Sequence, residues 1–127
     1  MTVGIHTVNL ANVIIDYLRG TAPGAIASLN IQLHTADPGP AGTSNVSAVT
    51  TRQVLTLAAG SGGQGVISNS PVFTMTSTET ISHVSIWSHI STGIVLYTGA
   101  LSVSKSVVNT DTITFTTATV SLTPLMA

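Results

Sequence analysis

From Leu29 to His34 the chain alternates apolar and polar residues without a break (Leu29, Asn30, Ile31, Gln32, Leu33, His34). A period of two predicts a β-strand with one buried face. The strand runs into Asp37-Pro38-Gly39-Pro40, a turn in which Pro fixes φ and Gly admits positive φ. Upstream the period changes. Leu10, Val13, Ile14, Tyr17 and Leu18 fall at helical spacing and form one apolar stripe, which predicts a helix over residues 7–19. Thr7 or Asn9 is the expected N-cap, Gly20 the expected C-terminal residue, and Pro23 prevents continuation. Beyond residue 28 the pattern predicts strands near 29–35, 49–57, 71–75, 81–89, 93–101, 103–108, 112–116 and 119–122. Ser91-Thr92-Gly93 and Asn109-Thr110-Asp111 read as hairpin turns, residues 36–48 as an exposed loop, and 58–65 as a flexible connector. Many short strands at this spacing predict a mainly β chain: a single domain over 1–127, built as an antiparallel β-sandwich or jelly-roll-like barrel, with one N-terminal α-helix within residues 1–20.

Composition changes this picture in one respect. Only three residues are Lys or Arg and four Asp or Glu, while Ser and Thr make up 36 of the 127, so surface polarity must come from hydroxyls. Three scattered cations (Arg19, Arg52, Lys105) cannot form the basic stripe that nucleic acid requires. A surface with few charges is weakly protected against self-association, which predicts a homo-oligomer. The helical stripe is too short to be stable alone, so Leu10, Ile14 and Tyr17 are candidate interface residues, docking on the β domain or on a neighbouring copy. Cys is absent, which excludes disulfides and thiolate metal sites. No apolar run is long enough to cross a bilayer, and no basic, apolar leader pattern opens the chain, so neither a membrane nor a secretory route is expected.

Chemistry is sparse. Gly60-Ser61-Gly62-Gly63-Gln64-Gly65 matches G-x-G-x-x-G in letters. The motif binds dinucleotides only where a helix follows, and Pro71 comes too soon for one. His83 and His89 share a strand parity but would stand roughly 20 Å apart on a straight strand. His34 can meet one of them across a sheet, without a further ligand to complete a metal site. Asp37 reads as a turn residue whose carboxylate accepts local backbone N–H groups, with a pair to His34 as the alternative. There is no G-x-S-x-G elbow and no paired carboxylate cluster, so no catalytic, cofactor-binding or metal-ligating residue is expected. Asn45-Val46-Ser47 fits a glycosylation sequon by pattern alone. Trp87, the only Trp, lies in Val84-Ser85-Ile86-Trp87-Ser88, with apolar residues on both parities of the strand. It reads as a core residue or packed anchor in a strand covered on both faces, the alternative being a sugar-stacking platform.

Several segments together carry a family resemblance: LHTADPG at 33–39 after an N-terminal helix, TRQ at 51–53, ISHVSIW at 81–87, GALSVSK at 99–105 and DTITF at 111–115. Over residues 8–123 the chain resembles a family of small tailed-bacteriophage virion proteins, variously labelled head-decoration, minor capsid or tail-fibre proteins. Two loops depart from the family's pattern: Val108-Asn109-Thr110 stands where a Gly is expected before Asp111, and Ser88-His89 where an acidic residue is expected after Trp87. The resemblance implies a non-enzymatic structural component of the virion, assembled in the host bacterial cytoplasm. The leading expectation is a capsid decoration or cement protein that reinforces the head, with the major capsid protein and copies of itself as partners. The alternative is a tail-fibre or baseplate module that binds the host cell surface.

Overall fold

A computed structural model describes residues 3–122 of the chain. The fold is mainly β, with one short N-terminal helix and every strand pairing antiparallel. The elements are β1 (Gly4–Ile5), a wide helical turn (Thr7–Ala11) leading into α1 (Asn12–Leu18), β2 (Leu29–His34), β3 (Gln53–Leu55), β4 (Gln64–Val66), β5 (Val72–Thr74), β6 (Glu79–Trp87), β7 (Val95–Val107), β8 (Thr112–Thr114) and β9 (Thr119–Ser121). Five strands form the main sheet in the order β1-β7-β6-β2-β3, and β4-β9 and β5-β8 form two smaller sheets.

Two layers enclose the apolar core. Ile31 and Leu33 of β2 pair with Ile86 and Val84 of β6, and paired residues share a face. Onto that face β5 brings Phe73, followed by Met75, and the core closes with Leu55, Ile81 and Val107. Phe115 meets Phe73 edge to face, with ring centroids 6.1 Å apart. This is the arrangement of a β-sandwich: one large sheet, with a smaller layer packed against its apolar face.

The differences from the sequence pattern have physical reasons. The strands expected at 93–101 and 103–108 are one strand, β7. Ile81 lies opposite Lys105 but His83 lies opposite Ala100, so the extra residues of β7 bulge out without ending the strand. The same bulge changes which parity of β6 faces the core. Ile81 packs with Ile31 and Leu33, whereas Ser85 and Trp87 lie on the other side of the sheet with Asn30 and Gln32. The turn at 109–111 is not a hairpin, because β7 pairs with β6 and β8 pairs with β5. It is held instead by reciprocal bonds, Thr110 N–H to Met75 O and Met75 N–H to Asp111 O. The long strand expected at 49–57 shortens to β3. The 58–65 connector contains a hairpin turn closed by reciprocal bonds between Ser61 and Gln64, with Gly62 and Gly63 at φ 57° and 71°. Positive φ at both central positions is what such a turn needs. Its glycines therefore serve β4 rather than a phosphate loop.

The helical segment starts at Thr7 as expected, but its cap is neither Thr7 nor Asn9. His6 is the cap: its Nδ1 accepts the Asn9 N–H at 3.1 Å, and its carbonyl accepts from both Leu10 and Ala11, which widens the first turn. Asn9, an expected cap, instead donates its side-chain amide to Val95 O at 2.8 Å.

Candidate functional site

The second face of the main sheet carries a cluster of buried polar side chains. Asn30, Gln32 and His34 are the polar half of the β2 alternation, and all three are buried, as are Ser85 and Thr98 beside them. The alternation predicted one solvated face, and the structure covers both. The cover is the 36–48 loop, expected to be exposed, which folds back so that Pro38, Gly42 and Ser47 are buried. Asp37 Oδ1 accepts the Gly39 N–H at 2.9 Å, as a turn Asp does. Glu79 closes the loop's far end, accepting from the Ser47 hydroxyl and the Ala48 N–H.

His34 is the centre of this layer. Its Nδ1 lies 2.8 Å from Ser44 O and its Nε2 lies 2.7 Å from Ser85 Oγ. A carbonyl only accepts, so Nδ1 carries a proton; burial favours the neutral imidazole, in which Nε2 accepts from the Ser85 hydroxyl. The Trp87 indole N–H then donates to Ser85 Oγ at 2.7 Å. The chain of bonds runs from Trp87 through Ser85 and His34 to the loop backbone. Burial lowers the His34 pKa from its ordinary value. The Ser44 bond opposes this shift, and the nearby His83 and Arg52 add to it. A Ser–His pair resembles a nucleophile and its base. Ser85, however, is wholly buried and its oxygen is already held by Trp87, so no substrate reaches it.

Arg52, read from sequence only as a scattered cation, lies 3.8 Å over the Trp87 ring. Its guanidinium donates to His89 O at 2.9 Å and Thr92 O at 2.7 Å, and its Nε reaches Gln32 Oε1 at 3.4 Å. It ties the β6–β7 hairpin tip to the sheet, and partial burial lowers its pKa. Trp87 is 7% exposed and sits under this cation, so it presents no face to a sugar. Three of the five segments that carry the resemblance meet here: LHTADPG supplies His34, TRQ supplies Arg52, and ISHVSIW supplies Ser85 and Trp87. Among the described residues no group of three or more His, Asp or Glu side chains is placed to hold a metal ion. His34 and His83 are register partners across β2 and β6, but both His34 ring nitrogens are engaged elsewhere.

Gly42 is where the loop touches the layer. At φ 68° it would place a Cβ 2.8 Å from a Val95 methyl carbon and 3.1 Å from the Trp87 ring. Gly42→Ala is therefore expected to cost about 1–3 kcal/mol through strain and overpacking. Gly24→Ala, where nothing lies within 4 Å, should leave the melting temperature nearly unchanged. Thermal unfolding of the two variants checks the contrast.

The other candidate is a surface. Leu10 and Ile14 are half-buried and Tyr17 is 64% exposed. With Ile26, Ile94 and Leu96 they line an open groove of about 890 Å³ between α1, the 23–27 segment and the β6–β7 hairpin tip. No Lys, Arg, Asp or Glu lines it. Ile15, Leu18 and Ile90 are further exposed apolar residues at this end of the chain or hairpin. A second cavity, of about 460 Å³, opens between the main sheet and residues 113–121. Tyr97, which borders it, donates its hydroxyl to Ser121 O at 2.9 Å and has its pKa raised by burial.

No helix among the described residues is long and apolar enough to cross a membrane. No curated protein matches the chain. A protein-family model described as Podophage GP4 fiber I protein gp80 matches residues 5–123.

Proposed function

We propose, because this chain belongs to the podophage GP4 fiber I protein gp80 family, that it is a structural subunit of a phage tail fibre, acting through its surfaces and catalysing no reaction. The family match over residues 5–123 carries this reading. It makes the chain a phage virion protein and favours the fibre over head decoration, which the sequence put first. The geometry supports a structural role. The one Ser–His pair of the buried layer is sealed, and of the five aromatic residues only Tyr17 is exposed, so no aromatic sugar platform is assembled. The mainly apolar groove beside α1, which no Lys, Arg, Asp or Glu lines, is the surface best suited to contact a neighbouring subunit. Self-association of this chain belongs to the same proposal, as does assembly within the host cytoplasm. Many weak contacts of this kind become strong when copies are arrayed.

Separated heads and tails of purified virions test the reading. The protein is expected in the tail fraction, at a few to a few tens of copies per particle. Recovery with heads at hundreds of copies would restore the decoration reading, with the major capsid protein as partner.

A further inference from the structure

The apolar face of the main sheet is covered unevenly. Ile31 and Leu33 of β2 are buried, but their β6 partners Ile86 and Val84 are only half-buried, as are Tyr97 and Gly99 opposite these on β7. The cover thins toward β7, and the cleft of about 460 Å³ lies over this part of the sheet. Consecutive residues of β7, from 97 to 103, line one side of it, and consecutive residues from 113 to 121 line the other. A strand alternates its side chains between two faces, so a wall built from both parities presents backbone as well as side chains. β7 has backbone to offer there. Residues 101–104, the bulged stretch, have no register partner on β6. On its other side β7 pairs with β1 only at Tyr97 and Thr98, and among the described residues no strand lies beyond. The opposite edge of the sheet is closed. Asn69 covers β3, its Oδ1 accepting the Thr56 N–H at 2.9 Å and its amide donating to Val54 O at 2.8 Å. Lys105 also lines the cleft. Arg19 pairs with Asp16 and Arg52 lies over Trp87, but Lys105 is exposed and makes no ion pair among the described residues.

We propose that this cleft accepts a strand: an extended segment of a partner protein, apolar at alternate positions and with a carboxylate near one end, adds to β7 along residues 99–105. Three observations set that chemistry. The unpartnered extended backbone of residues 101–104 asks for main-chain donors and acceptors, which only a peptide supplies in a regular row. The half-buried Val84, Ile86 and Leu101 ask for apolar side chains on one parity of that peptide, to complete the cover that β2 already has. The unpaired Lys105 at the cleft sets the sign of the charge beside them. An acyl chain would satisfy the second and third of these and leave the backbone of β7 unmatched. The proposal goes beyond the fibre reading, since it names a surface and the chemistry of its occupant and holds wherever in the virion the subunit sits.

The probe is a synthetic peptide of alternating valine and threonine that ends in aspartate, blocked at both ends and added to the full chain at millimolar concentration. Amide hydrogen exchange reads the result. The peptide is expected to slow exchange along residues 99–105, and no slowing anywhere on β7 would overturn the proposal. Equal slowing by decanoate, which carries a carboxylate and an acyl chain but no peptide backbone, would overturn it in favour of an amphiphile. A Cβ at Gly99 would meet a Val84 methyl carbon at 3.9 Å, an ordinary contact, so Gly99→Leu fills the cleft from the β7 side without a clash. This variant should keep its melting temperature and bind the peptide at least about tenfold more weakly. Undiminished binding would place the peptide elsewhere and contradict the proposal. Lys105→Glu changes an exposed side chain and leaves the packing of the fold alone. It should weaken the aspartate-ended peptide by up to about fivefold and favour the same peptide ended in lysine. Indifference of both proteins to the terminal charge would overturn the assigned chemistry.

Discussion

Trp87→Ala is expected to lower folding stability by about 3–5 kcal/mol, the range for removing a large buried aromatic. Three losses combine. The indole leaves a cavity between β6 and the 36–48 loop, where the Gly42 backbone packs against it. The Ser85 hydroxyl loses the N–H that it accepts, within a buried layer. Arg52 loses the ring beneath its guanidinium, and its bonds to His89 O and Thr92 O lose their support. For a chain of this length the drop in melting temperature should be about 10–20 °C. A melting temperature within a few degrees of the unaltered protein, together with loss of binding to a host glycan, would show that Trp87 is a ligand platform after all.

The second large effect is on pH. His34 is held neutral in the folded protein and its pKa is lowered, chiefly by burial. In the unfolded chain it titrates at its ordinary value of 6.5. Above that pH neither state is protonated at this site and the stability contribution is complete. As pH falls below 6.5 the unfolded chain takes up a proton that the folded protein refuses. Stability then declines by up to about 1.4 kcal/mol per pH unit, until the folded-state pKa is reached. The geometry explains why the proton is unwelcome. Nδ1 already donates to Ser44 O, so the added proton must sit on Nε2 and face the Ser85 hydroxyl, which then has no acceptor. The nearby His83 and Arg52 add to the cost. Denaturant unfolding measured from pH 8 to pH 4 should show this slope, and His34→Leu should lack it. The variant should also lose about 2–4 kcal/mol at pH 8, because the Ser85 O–H loses its acceptor and the Ser44 carbonyl its donor. An unchanged slope in His34→Leu would assign the pH dependence to other groups.

Periodicity made much of the fold legible. The Leu29–His34 alternation located β2, the Leu10/Ile14/Tyr17 stripe located the helix, and the mixed parity around Trp87 pointed to a strand covered on both sides. What the pattern could not carry was long-range pairing. The chain folds β8 onto β5 rather than onto β7, and that choice depends on Phe73 and Ile113 finding the same core, residues 40 positions apart. Nor does alternation reveal that Asn30, Gln32 and His34 are buried: Asn30 bonds nearby Ser28, but Gln32 is met by Thr50 O and Arg52, and His34 by Ser44 O and Ser85, all distant in the chain. Arg52 carried one usable signal: a cation is rare in this chain, and one placed between apolar strands has a partner to find. Its partner is an aromatic ring 35 residues away, which no local pattern encodes. The buried Asn30 Oδ1 has no hydrogen-bond partner, and nothing in the structure explains it.

The central claim is that this virion protein works as a fibre subunit, built to be packed against others. A reconstruction of the intact phage particle, at a resolution that allows the five-stranded sheet and α1 to be fitted, tests it most directly. The account predicts that the domain fits density in the tail fibres, with α1 and the hairpin tip against a neighbouring subunit. Density for the domain on the head lattice, or in the fibre with the α1 groove facing solvent on every copy, would contradict it.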